Sequence, residues 1–105
     1  MNEHQELAGY KANALLQLMT KLAVSDNGIA RLLKSMGSDL EQLIAGQVAL
    51  PTRLMRGWSL YFSPEGPHGI YDKYPDLVDL HAELEWILRH PTTESYEKSR
   101  KLLGG

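Results

Sequence analysis

The sequence predicts an all-α protein, a compact helical bundle with an appended C-terminal helical segment. Three observations carry that expectation. Ala8, Ala12, Leu15, Met19 and Leu22 repeat at 4, 3, 4, 3 spacing, and Leu77, Leu80, Leu84 and Ile87 repeat at 3, 4, 3, so both stretches read as amphipathic helices. Between them, residues 25 to 51 carry helix-start residues and the same apolar spacing. Finally, residues 63 to 75 hold three prolines and two glycines, which no helix sustains, and this splits the chain into 1–62 and 63–105.

The first helix is expected from about Asn2 to about Leu22. Leu16 and Leu18 widen its apolar stripe, while Glu3, Glu6, Lys11, Gln17 and Lys21 face outward. The stripe reads as core rather than as filler of a partner's groove. A Ser25 cap then starts the next element, with Asp26 another N-cap type, and Ile29, Ala30, Leu32 and Leu33 follow. Gly37 is a poor helix interior residue and Ser38 suits an N-cap, so Ser35-Met36-Gly37-Ser38 is expected to be a turn. A further short helix would carry Leu40, Leu43 and Ile44 inward, closed by Gly46 in a left-handed conformation. Two short helices joined through a glycine-containing turn describe a helix-turn-helix.

Pro51 favours the first turn of a fourth helix, with Leu54, Met55, Trp58 and one of Tyr61 or Phe62 inside. In the interrupted segment, Ile70, Tyr71 and Tyr74 are expected to pack down, and a short hairpin with Tyr61-Phe62 is one arrangement. Pro75 opens the next helix with Asp76 and Asp79 at its positive end; Arg89 and His90 suit its negative end and Pro91 stops it. Leu77, Leu80, Leu84, Trp86 and Ile87 give that helix an apolar surface wide enough to complete the core, to form a dimer, or both. The tail has Thr92 or Thr93 as cap, Glu94 early and Lys98, Arg100 and Lys101 late. It has only Tyr96, Leu102 and Leu103 to bury.

Composition sets the outer limits. A chain of 105 residues can bury a core without metal or disulfides. The absence of cysteine rules out a disulfide framework or zinc-thiolate site and fits the cytoplasm as the expected location. The polar, acidic start does not look like a signal peptide, and no apolar run is long enough for a membrane span. Net charge is −2, which counts against strong nonspecific binding to a polyanion. Residues 1–62 hold six Lys/Arg against five Asp/Glu, whereas 63–105 hold five against eight. Any nucleic-acid contact therefore belongs to the first half.

Ile29-Ala30, Leu33, Leu40, Gly46 and Pro51, with Leu43 where a large apolar residue is common, resemble the phage-repressor (Cro/repressor, Xre-like) helix-turn-helix family over roughly residues 10–60. The resemblance implies a lambda-repressor-like helix-turn-helix bundle that binds double-stranded DNA, with a second helix entering the major groove. Placed on that pattern, Ser38, Asp39, Gln42 and Ala45 face bases, and Arg31, Lys34, Gln47, Arg53 and Arg56 hold phosphates. The sequence departs from the family at Asp26, where a phosphate-binding Gln is frequent. Its turn reads Lys34-Ser35-Met36-Gly37-Ser38 where Gly-Val-Ser is usual. Arg53 and Arg56 read equally well as solvated surface charges.

Catalysis is not expected. His81 and Glu85 share a helical face and His68 and His90 lie nearby in sequence, but the spacing lacks a His-Glu-x-x-His form, so neither metal nor cofactor is assigned. Two function classes remain. One is a small transcriptional regulator reading a palindromic site as a homodimer through its C-terminal helix. The other keeps the bundle for a protein partner, as an antitoxin-like, anti-activator or adaptor domain, which Asp26, Asp39, Glu41 and the acidic second half favour.

Overall fold

Asn2 opens the first helix by accepting the Gln5 amide, while the Gln5 side chain accepts from the Asn2 amide, a reciprocal capping box. In the computed structural model, which describes residues 1–102, this helix (α1) spans Glu3–Ala23. Helix α2 spans Asn27–Ile44, and a 3₁₀ segment covers Arg56–Phe62. Three further helices follow: α3, Ile70–Lys73; α4, Pro75–Leu88; and α5, Thr93–Leu102. The described residues are all-helical, with no strand, so the Tyr61-Phe62 hairpin does not form.

Helix α1 is the central element and packs against both α2 and α4. Its buried side is His4, Ala8, Gly9, Ala12, Leu15 and Met19, the expected stripe extended one turn toward the N-terminus. The short Val24–Asp26 link turns the chain back so that α2 returns along α1. Gly9 lies against the far end of α2, where a Cβ would stand 3.1 Å from the Leu43 carbonyl oxygen. The cap of α2 is Asp26 rather than Ser25; its carboxylate accepts from the Ile29 amide at 3.1 Å.

The turn expected at Ser35-Met36-Gly37-Ser38 is absent, because α2 runs unbroken through it. Met36 explains why. Ile29, Leu32, Met36, Leu40 and Leu43 form one buried stripe, and Met36 is fully inaccessible. A helix-interior glycine costs about 1 kcal/mol relative to alanine. Burying a methionine side chain contributes roughly 1.5–3 kcal/mol. Packing therefore outweighs the local preference of Gly37 for a turn, and the two-helix motif becomes a single rod about 27 Å long at ~1.5 Å per residue. Gly46, as expected, sits at φ +70° just past the end.

The expected fourth helix is also reduced. Before it, the Thr52 amide donates to the Leu88 carbonyl at 2.9 Å and the Thr52 hydroxyl accepts the Leu54 amide at 3.2 Å. Residues 51–54 thus use their hydrogen bonds on α4 and on themselves, and only the 3₁₀ segment forms, with Met55 and Phe62 buried. Helix α4 begins with Pro75 in its first turn, as expected. Leu77, His81, Leu84, Ile87 and Leu88 are buried along it. In α5 the Thr92 hydroxyl accepts the Ser95 amide and Tyr96 is buried, but Leu102 is exposed; Leu103 lies outside the described residues.

Candidate functional site

The exposed side of α2 gathers Arg31, Lys34, Ser38, Glu41, Gln42 and the cap residue Ala45. At 100° per residue, Arg31, Lys34, Ser38 and Ala45 lie within about 60° of one another, opposite the Ile29–Leu43 stripe. The base-facing and phosphate-facing residues assigned to α2 from the resemblance therefore largely share one face. They do so on one continuous helix, with Ser38 and Asp39 in its body instead of at a helix N-terminus.

Asp39 is turned away from that face. The Trp58 indole Nε1 donates to its Oδ2 at 2.9 Å, so this carboxylate ties the 3₁₀ segment to α2. Asp26 is likewise structural. Besides capping α2, it accepts from the Tyr74 hydroxyl at 2.7 Å. The Tyr74 hydroxyl and then the Ile29 amide hold Asp26 below the usual carboxylate range, and the same bond to Asp26 pushes Tyr74 up. Of the three acidic residues at the expected DNA face, Asp26 and Asp39 thus serve as fasteners between elements, and Glu41 stays exposed.

Arg53 and Arg56 go elsewhere. A turn in which the Arg56 amide donates to the Arg53 carbonyl at 3.0 Å brings them to a cleft between residues 51–56 and the C-terminal end of α4. This cleft has a volume of about 750 Å³. Met55 and Leu88 supply its apolar lining, and Arg89, which the sequence reading used only as a helix-end charge, joins the two arginines. The Arg89 guanidinium stands over the Trp86 ring at 5.6 Å, a cation–π placement. Glu85, also in the lining, accepts from the Ser59 hydroxyl at 2.8 Å. Gln47 is exposed and is not part of this lining.

The apolar residues expected to make a dimer are used within the chain. Leu77, Leu84 and Ile87 are inaccessible core, and Leu80 and Trp86 are half-buried against it. The stripe meets α1, so the core-forming alternative accounts for most of it. The four histidines do not converge with carboxylates into a metal-binding group among the described residues. His81 is buried and stacked on Phe62, with centroids 4.0 Å apart at 8°. Burial pushes it below the ordinary histidine range, against an opposing pull from Glu85 and the Met55 backbone. His68 stacks on Tyr61, and His90 meets Ser95 at 3.0 Å.

His4 was missed by the sequence reading, although it stands one turn before Ala8 on the same stripe. Its Nε2 donates to the Ile87 carbonyl at 2.7 Å, and its Nδ1 faces the Thr93 hydroxyl at 3.4 Å. It stitches α1 to the end of α4 and the start of α5.

The candidate site is thus a helix face and an arginine-lined cleft on an all-α scaffold. Compared with family models, curated proteins and solved structures, the chain matches none.

Proposed function

We propose that this chain is a helical interaction module whose partner is another protein. The observation that supports this most is the unbroken α2. A helix-turn-helix inserts the N-terminal residues of a separate second helix into the major groove. Here Ser38 and Asp39 sit mid-helix, Asp39 is bonded to Trp58, and Arg53 and Arg56 face a cleft shared with α4. The net charge of −2 adds to the case, since phosphate neutralisation supplies most nonspecific DNA affinity. The exposed strip of α2, with Glu41 and Gln42 beside Arg31 and Lys34, offers mixed charge of the kind that gives a protein interface its specificity.

A second reading, a DNA-binding regulator acting as a dimer, draws on one specific observation. Arg31, Lys34, Ser38 and Gln42 share an exposed helix face free of Asp39. Binding of the purified protein to mixed genomic DNA fragments at low and moderate salt separates the two. The protein-partner reading expects no retention at low salt, together with a partner captured by the wild-type bait and lost on the Glu41→Lys, Gln42→Ala bait. Retention of selected fragments, weakened by Arg31→Ala and falling steeply with salt, overturns it in favour of the regulator.

A further inference from the structure

We propose that the cleft between residues 51–56 and the end of α4 is a binding site for a small molecule carrying a multiply charged oxyanion group, phosphate or polycarboxylate. Four observations lead there. Arg53, Arg56 and Arg89 come from two separate parts of the chain, yet all three line the same concavity. None of them is ion-paired among the described residues, where the salt bridges are Lys11–Glu83 and Lys98–Glu94. Three guanidinium groups around one space repel one another unless an anion sits among them, and their planar forks match carboxylate or phosphate oxygens two at a time.

The fourth observation is that the cleft is built to hold its shape. The Thr52–Leu88 backbone hydrogen bond fixes one wall to the other, and the Arg53–Arg56 turn sets the spacing of two arginines. The Trp86 ring holds the third. Its volume of about 750 Å³ lies in the range of small-molecule sites, roughly 300–1,000 Å³. Met55 and Leu88 lie buried behind the cleft and form its floor, and exposed Pro51 in the lining adds apolar surface for the body of a ligand. Glu85, the single acid in the lining, accepts from the Ser59 hydroxyl and forms no ion pair with the arginines; its carboxylate suits a ligand hydroxyl or amine beside the oxyanion group.

The test is titration of the full chain with pyrophosphate and, separately, citrate, each against sodium chloride at matched ionic strength. Calorimetry gives the affinity, and tryptophan fluorescence in a Trp58→Phe background reports the cleft through Trp86. Saturable one-site binding is expected. Arg89→Gln and Arg53→Gln should each weaken it about tenfold or more, as loss of one charge-assisted hydrogen-bonding group does. Lys21→Gln, a cation outside the cleft, should leave it unchanged, and thermal melting without ligand identifies any variant that fails to fold. Binding of pyrophosphate alone assigns a phosphate-bearing ligand, and binding of citrate alone assigns a polycarboxylate. No binding above the chloride control, or binding indifferent to the arginine substitutions, overturns the proposal. Neither outcome depends on whether α2 meets protein or DNA.

Discussion

Replacing Gly37 by alanine tests the feature on which the reading of this chain turns. In the unbroken helix Gly37 has no positive φ, and a Cβ built on it meets no atom within 4 Å. The substitution therefore removes the backbone entropy cost of a helix-interior glycine and adds no clash. That cost is about 0.5–1 kcal/mol. With an unfolding entropy of roughly 2.1 cal/mol/K per residue, a chain of 105 residues should gain about 2–5 °C in Tm. Thermal and urea unfolding followed by far-ultraviolet circular dichroism measure the change directly. A helix-turn-helix with Gly37 in a left-handed turn makes the opposite prediction, because alanine is strained there. A fall in Tm of similar size would refute the continuous helix and restore the turn.

Gly46 supplies the complementary case: at φ +70° alanine is strained, so Gly46→Ala should lose about 1–2 kcal/mol, and an unchanged urea midpoint contradicts the left-handed cap. His81 gives a pH dependence. Because burial lowers it in the folded state while the unfolded chain titrates near ~6.5, its contribution is intact above ~6.5 and is lost as pH falls below that value. His81→Leu should flatten the decline in Tm between about pH 7 and 5, leaving the part due to His90, which burial lowers in the same sense; equal slopes contradict this. Tyr74→Phe should raise the Asp26 titration toward the ordinary carboxylate range by NMR. The stability that Asp26 adds above ~3.9, lost as pH falls, should shrink with it; an unmoved Asp26 removes the proposed fastener.

Much of the fold was legible because strong periodicity and strong caps agree. The α1 stripe, the proline start of α4, the left-handed Gly46 and the tail cap at Thr92 all follow from local sequence. Gly37 shows where that logic fails. Its turn preference is local, whereas the burial of Met36 that overrides it depends on tertiary packing that no local pattern encodes. The same cause hid the fate of Pro51, since the Thr52 amide is claimed by Leu88, thirty-six positions along the chain. The candidate site was legible only in parts. Arg53 and Arg56 were singled out, but their companion Arg89 comes from the far half of the sequence, and no spacing rule links them. His4 and His81 could have been found: each completes a helical stripe, at one turn before Ala8 and between Leu77 and Leu84.

The bond between His4 and Ile87 spans nearly the whole chain. On a ribosome α1 emerges well before α4, yet one of its sides finds its cover only when α4 arrives. A nascent or truncated chain ending near residue 62 therefore carries an uncovered apolar flank, with a buried-type imidazole deprived of its carbonyl. Such a fragment should be a poor unit for expression, because the packing of α1 on α4 crosses the proline-rich segment.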